Sequence, residues 1–367
     1  MNSLGFDKKN KDTKVIVAMS GGVDSSVAAV LLKSEGYNVT GITLRLYNQS
    51  NTNRSKSCCA GQDIEDAQKV AEQYDFPHYV LDYQDKFFSG VIDNFVESYA
   101  YGETPIPCVR CNQTVKFTDL LKEAKNQKAD ALITGHYVRR IGGEKNAQMY
   151  KAKDTLKDQS YFLFATTRNQ LDFLRFPIGE YFKSEIRDRA RELSLIVQDK
   201  PDSQDICFVT KDSYRTLIKK LKPESFIKGN ILDINGKIIG EHDGIVNYTI
   251  GQRKGIGIGG YKHPLYVIDI DKTKNLIVLG EKCFLEKTTI QIKNINWIAD
   301  NIDKQDSIRC SARIRSTQKE MPGTLKIKGN KAMYIFDNKI ANTSPGQACV
   351  FYLNNQVLGG GWITKNN

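Results

Sequence analysis

Short apolar runs alternate with longer amphipathic stretches over the first half of the chain. Between residue 14 and about 196, VIVAM (15–19), VTGITLRL (39–46), YVLDY (79–83) and ALIT (131–134) read as strands, the first and last with little polar alternation. Between them SSVAAVLLKSEG, DIEDAQKVAEQY, KFFSGVIDNFVESYAYG and VKFTDLLKEAKNQ place apolar residues three or four apart, as helices do. Such alternation predicts a parallel sheet covered on both faces, a doubly wound α/β domain whose ligands sit at the carboxyl ends of the strands. A helix around 184–195, with Ile186, Ala190 and Leu193 on one side, closes this part.

After Asp205 the texture changes. Residues 212–286 are rich in Gly and Lys with short strands, and Asn235-Gly236 is a strong hairpin turn signal. From residue 287 the runs TIQIKNINWI, IRCSARIRS, GTLKIKG, AMYIFD, QACVFYL and VLGGGWIT read as a small antiparallel barrel or sandwich. The expected domains are 1–211, 212–286 and 287–367, with no internal repeat and no low-complexity segment.

Composition adds bounds. The 367 residues are 40% apolar and include 28 glycines, which excludes collagen, coiled coil and global disorder. The net charge of +11 is uneven: the first hundred residues carry 10 basic against 13 acidic side chains, the last 67 carry 10 against 4. That asymmetry suggests a small-molecule site in front and a polyanion surface behind. The polar start MNSLGFDKKNKDTK lacks a signal-peptide core, and no run approaches the roughly 18 apolar residues of a membrane helix. A cytoplasmic protein away from membranes is expected, with its eight cysteines as thiols.

The first strand runs directly into Ser20, Gly21, Gly22, Val23, Asp24 and Ser25 and then into a helix. Two glycines permit close approach, backbone amides point outward, and the helix dipole adds positive potential, which together suit phosphate. The Ser20 and Ser25 hydroxyls can donate to phosphate oxygens and Asp24 can hold Mg²⁺ through water. The Walker A pattern and its lysine are missing. The SGGVDSS run resembles the ATP pyrophosphatase (PP-loop) group, whose members cleave ATP between the α and β phosphates and adenylate a substrate oxygen.

Two further cysteine-bearing stretches narrow the choice. TPIPCVRCN, with Cys108 and Cys111, is expected as a loop stiffened by Pro105 and Pro107 that presents both thiols. KPDSQDICFV places Cys207 beside Asp202, Gln204 and Asp205. AMSGGVDSSVAA, TPIPCVRCN, ITGHYVRR, KDQSYFLF, KPDSQDICF, YTIGQRKGIGIGG and SPGQACVFY, in this order, resemble the tRNA-specific 2-thiouridylase family over essentially the whole chain. The resemblance implies an adenine nucleotide alpha hydrolase-like PP-loop domain followed by a small mainly β domain and a C-terminal β-barrel.

The implied activity is that of a tRNA-uridine 2-sulfurtransferase, in which ATP adenylates the C2 oxygen of the wobble uridine of tRNAs for Lys, Glu and Gln and a protein persulfide then supplies sulfur. On this resemblance Cys207 carries the persulfide and Cys111 is the nucleophile, and the two form a disulfide when Cys111 discharges the persulfide. Ala18, Met19, Ser20, Gly21, Gly22, Val23, Asp24, Ser25, Leu44 and Gly135 match positions around ATP. His136, Lys157, Asp158, Gln159 and Gln347 match positions that contact tRNA. A cysteine desulfurase or a relay protein is expected as sulfur donor, and the anticodon arm of tRNA as partner.

Many members have Asp where this chain has Cys108. Cys108 could serve as an acid or base only as a thiol, or Cys108, Cys111 and Cys207 could hold an iron-sulfur cluster, the less favoured reading. Cys58 and Cys59 read as ordinary thiols near a helix start, and Cys283, Cys310 and Cys349 as packing residues in strands. Strand alternation in IRCSARIRS points Cys310, Ala312 and Ile314 one way and Arg309, Arg313 and Arg315 the other. An outward arginine row suited to phosphates is therefore expected, with Arg313 and Arg315 on tRNA. Leu325 and Ile327 against Lys326 and Lys328 repeat the pattern, and Arg253 and Lys254 add charge on a Gly-rich segment.

Overall fold

A computed structural model describes residues 1–47, 61–202, 206–209, 213–341 and 343–365. The front domain is built on a five-stranded parallel sheet of β1 (Lys14–Ala18), β2 (Asn38–Arg45), β3 (His78–Asp82), β4 (Ala131–Thr134) and β7 (Leu174–Arg175), in the order β3-β2-β1-β4-β7. The chain leaves β1 toward β2 and β3 and returns on the other side as β4, so the strand order reverses between β1 and β4. That crevice is where a doubly wound sheet binds its ligand. Both faces are covered, as the continuous apolar strands require: Val15 and Val17 pack with Val27, Val30 and Ile186, while Ile16 packs with Phe87, Phe95 and Leu120.

The covering helices are α1 (Val23–Ser34), α2 (Gly61–Gln73), α3 (Gln84–Phe87) running through a π turn (Phe88–Ile92) into α4 (Asp93–Ala100), and α9 (Lys183–Glu192). The stretch expected as a cysteine loop is helical. α5 (Pro107–Cys111) passes without a break through a π segment (Asn112–Leu120) into α6 (Leu121–Asn126). Pro107 occupies the first turn, where a missing N–H costs nothing and a fixed φ favours the helix, so the proline read as stiffening a loop starts a helix instead.

The hairpin of β5 (Val138–Ile141) and β6 (Gln148–Lys151) follows β4 and pairs, through Tyr150, with the last strand of the C-terminal barrel. It is followed by α7 (Ser160–Leu163) and α8 (Arg168–Phe173), and α10 (Tyr214–Leu221) leads into the central sheet. That sheet comprises β8 (Gly229–Leu232), β9 (Ile238–His242), β10 (Tyr266–Asp271) and β11 (Leu276–Gly280), ordered β10-β11-β8-β9. Its expected hairpin is present: Gly236 has φ 83°, and the Asp233 carboxylate accepts from the amides of Asn235 and Lys237 at 2.9 Å each. Six strands follow, β12 (Lys287–Trp297), β13 (Ser307–Arg313), β14 (Met321–Lys328), β15 (Lys331–Ile340), β16 (Ala348–Leu353) and β17 (Gln356–Ile363). They run β12-β15-β14-β13-β16-β17, and pairing of β12 with β17 closes the barrel.

The barrel's outer wall is not all solvent-facing. Cys349 and Phe351 point into the barrel, whereas Ala348, Val350 and Tyr352 join the front domain's core with Tyr161 and Phe164. β13 follows the predicted alternation, with Ile308, Cys310 and Ala312 inside. Its other side meets the front domain at the Arg313 end, however, so the expected outward arginine row is corrected there. Arg313 donates to Asp158 at 3.1 Å and to Glu320 at 3.0 Å, and Lys151 pairs with Glu320 at 2.9 Å. These side chains are nearly covered, Asp158 to 1% exposure and Arg313 to 11%. The Asp158 carboxylate also accepts from the amides of Ala152 and Ser160 and from the Ser160 hydroxyl. Arg309 is exposed and bidentate on Asp337, and Arg315 is half-buried, its pKa lowered by burial. Lys326 and Lys328 are exposed as expected. Cys310 and Cys349 are buried packing residues, but Cys283 lies exposed in the turn Lys282–Leu285, not in a strand. Cys58, Cys59, Gln204 and Asp205 lie outside the described residues.

The Arg313 cluster joins barrel to front domain. Arg313→Ala leaves the Asp158 carboxylate buried without its cation, so urea unfolding should show a loss of about 3–5 kcal/mol. An unchanged midpoint would show that the pair carries no stability.

Candidate active site

β1 ends at Ala18, followed by Met19 and Ser20, and Gly21 turns the chain with φ 70°. A Cβ on Gly21 would lie 2.1 Å from the Asp63 carbonyl oxygen, so the loop and the first turn of α2 meet backbone to backbone. A Cβ on Gly135 would lie 2.7 Å from the Ser25 amide nitrogen, which puts the end of β4 equally close to the first turn of α1. Only glycine permits either approach. The loop at 20–25 is thus held between α2 and β4, at the crevice where the strand order reverses.

The side chains of this loop are already engaged. The Ser25 hydroxyl accepts from the Ser20 amide at 3.1 Å and donates to the Gly22 carbonyl at 3.2 Å, so it holds the loop's shape and is not aimed outward as expected. The Asp24 carboxylate accepts from Lys183 Nζ at 2.6 and 2.8 Å and from the Tyr137 hydroxyl at 2.8 Å. With a lysine seated on both its oxygens, Asp24 does not fit the expected role of Mg²⁺ holder in this arrangement.

Two lysines that no motif in the sequence marks lie beside the loop, each paired with carboxylates. Lys183, the first residue of α9, bridges Asp24 and Asp202, the latter at 3.1 Å. Lys200 donates to the Gly21 carbonyl at 2.9 Å and pairs with Asp63 at 2.6 Å and with Asp66. Both lie more than 150 residues from the loop, and no local motif links them to it. Asp202 also pairs with Lys157 at 2.8 Å and Arg187 at 2.6 Å. Burial alone would raise the Asp202 pKa, but the hydrogen bonds and charges of Lys157 and Lys183 take it well below the usual carboxylate range.

From Gly135 the chain reaches His136, whose ring bonds Thr134 Oγ1 at 2.9 Å and stands edge-on to Phe117 and Phe176. Phe117 belongs to the same continuous helix as Cys111. The charge of Lys116 acts on both His136 and Cys111. The glycine loop and the cysteine helix are therefore linked through Gly135, His136 and Phe117. Burial takes His136 down to about 3, so the ring is neutral at physiological pH. Cys111 is buried, 8% exposed, and burial raises its pKa against the lowering influence of Lys116. Cys108 is exposed and Cys207 half-buried; Cys111 and Cys207 border one apolar cluster with Phe87, Phe95 and Phe208. Leu44, at the end of β2, is buried in the same cluster. Among the described residues no three His, Cys, Asp or Glu side chains are grouped to hold a metal ion, and an iron-sulfur cluster on Cys108, Cys111 and Cys207 has no geometric support.

The residues matched to tRNA contacts separate into two sets. Lys157 is exposed. Asp158 and Arg313 are engaged with each other between domains, and Gln159 accepts from the Tyr137 amide at 2.8 Å. Gln347 donates to the Thr104 carbonyl at 2.9 Å, just ahead of the cysteine helix.

Family models match along the whole length. "tRNA methyl transferase HUP domain" covers residues 13–211, "tRNA methyl transferase PRC-barrel domain" 215–281 and "Aminomethyltransferase beta-barrel domain" 287–363. The chain is 51% identical over 364 residues to the tRNA-specific 2-thiouridylase MnmA of Orientia tsutsugamushi, covering 99% of this chain and 98% of that protein. The chain belongs to the MnmA family. MnmA of Rickettsia prowazekii is 50% identical over 354 residues, covering 96% of this chain and 99% of that protein. MnmA of Rhodospirillum centenum is 49% identical over 374 residues, covering 100% and 95%. In this MnmA-family chain no helix among the described residues is long and apolar enough to cross a membrane.

Two outcomes are expected. Gly135→Ala drives a methyl into the Ser25 amide, so ATP affinity by calorimetry should fall at least about tenfold while the circular dichroism spectrum is retained. Unchanged ATP affinity would separate β4 from the nucleotide site. The His136 ring-proton NMR shift should stay constant from pH 8 to 4.5; a midpoint near 6.5 would show the ring to be solvated.

Proposed function

We propose that this protein is an ATP-dependent tRNA-uridine 2-sulfurtransferase. One observation carries the reading: the glycine loop and the Cys111 helix meet through Gly135 and His136, so a nucleotide-activated oxygen and a thiol can be brought to one base. Near-complete coverage by relatives named tRNA-specific 2-thiouridylase supports it.

In this reading the substrate is the wobble uridine of tRNAs for Lys, Glu and Gln. Its C2 oxygen attacks the α-phosphate of ATP, pyrophosphate departs, and the oxygen becomes part of an adenylate that leaves as AMP. The loop amides bind the phosphates, with Lys183 and Lys200 providing positive charge at its two sides. Cys207 receives the sulfur as a persulfide from a donor such as a cysteine desulfurase or a relay protein. That persulfide attacks the activated C2 and expels AMP, after which Cys111 attacks the Cys207 sulfur, breaks the S–S bond and leaves the sulfur on C2; or Cys111 attacks the Cys207 sulfur first, and the hydrosulfide released displaces AMP. Both routes end in a Cys111–Cys207 disulfide that an external thiol resets. Neutral His136 lines the place where the base arrives. The exposed cations Arg253, Lys254, Lys326 and Lys328 and Lys157 replace the arginine row as the surface for the anticodon arm.

The test is a reconstituted reaction with ATP, Mg²⁺, a persulfide source and tRNA for Glu, read on a mercury-containing gel. Cys111→Ser and Cys207→Ser should each lower thiolation at least about a hundredfold, as loss of a nucleophile does, while ATP still binds. Wild-type thiolation in either variant would remove that cysteine from the chemistry.

A further inference from the structure

Cys111 is buried in the structure described, yet a nucleophile that meets an RNA base or a persulfide must be accessible. The segment that feeds its helix, residues 101–107, is held from both other domains. On the central side the Lys272 ammonium sits 3.0 Å from the centroid of the Tyr101 ring, and Gly102, with φ 73°, leaves a gap that a Cβ would close to 2.8 Å from Ile270 of β10. On the barrel side the Thr104 amide donates to the Pro345 carbonyl at 2.8 Å, and Gln347 Nε2 donates to the Thr104 carbonyl at 2.9 Å. Gly346, with φ 86°, approaches so closely that a Cβ would lie 3.0 Å from Glu103 Cβ and from the Thr104 amide nitrogen.

The barrel and central domain are themselves joined at this point, where the Ser344 hydroxyl donates to the Ile250 carbonyl at 3.2 Å. Residues 344–347 therefore touch the segment ahead of Cys111 and the start of the glycine-rich stretch bearing Arg253 and Lys254. The segment cannot easily absorb a displacement. Pro105 and Pro107 fix two of its φ angles and restrict the residues before them, and Pro107 is already the first turn of α5.

We propose that residues 101–107 form a positioning strap: seating of RNA on the central domain and barrel moves the strap through Gln347 and the Lys272–Tyr101 contact, and so sets the exposure of Cys111. This rests on the RNA-directed reading above. Gln347 is then a positioning residue that acts through Thr104 and α5, and the two back domains control the thiol as well as contributing charge. The device keeps a reactive cysteine covered until its substrate is in place.

The experiment follows alkylation of Cys111 by iodoacetamide, resolved by peptide mass spectrometry, with and without saturating unmodified tRNA for Glu. In wild-type protein tRNA should accelerate alkylation roughly tenfold or more, as expected for a shifted local opening equilibrium. Gln347→Ala and Tyr101→Ala, which release the strap from opposite sides, should each raise the rate without tRNA and shrink the tRNA response. In the Tyr101 variant the dissociation constant for tRNA should stay within about threefold of wild type, and the change should appear in kcat and not in KM. Wild-type alkylation that tRNA leaves unchanged, or variants as protected as wild type, would overturn the strap. If tRNA does not bind the wild-type protein at all, the functional reading fails first, and filter binding distinguishes that case.

Discussion

β4 and α2 press against the glycine loop backbone to backbone, at points that leave no room for a side chain. A carbonyl from α2 lies where a Cβ of residue 21 would be, and the first turn of α1 lies where a Cβ of residue 135 would be. The loop is thereby fixed from two sides before any ligand arrives, which spares the ordering cost of shaping it on binding. His136 follows Gly135 directly, and its ring stands edge-on to Phe117 of the cysteine helix.

Charge plays two different parts. Around the loop it is arranged in short ion pairs: Lys183 on Asp24 and Asp202, Lys200 on Asp63 and Asp66. Each lysine has carboxylate partners in the described state, and phosphate would compete for them. Between front domain and barrel, Arg313, Asp158, Lys151 and Glu320 are nearly removed from water and paired with one another. There, charge specifies how two domains seat against each other and contributes little to capturing a polyanion. The lysines of β14 and the cations of the glycine-rich segment are exposed instead.

The thiols divide by environment. Cys310 and Cys349 have their pKa raised by burial inside the barrel and serve as apolar filling. Cys111 is also buried, but near the start of a helix whose approach segment is held by contacts from two other domains.

The strand-helix alternation, the glycine loop, the central hairpin and the barrel strands were all legible in the sequence, because each depends on local backbone preference and on a period of two or 3.6; the strand order that reverses between β1 and β4 was not. The order of motifs likewise carried the family resemblance. Pro107 was read as a loop element because a proline breaks a helix interior but begins a helix equally well, and only packing of Val109, Cys111 and Val115 into the core decides between them. The alternation that turned Arg313 away from the barrel interior was right, yet it could not tell water from a neighbouring domain. Lys183 and Lys200 stayed invisible for the same reason. Sequence determined which side chains share a face; what that face meets, and so whether a charge binds RNA, holds a loop or locks two domains, was decided by tertiary contacts between residues far apart in the chain.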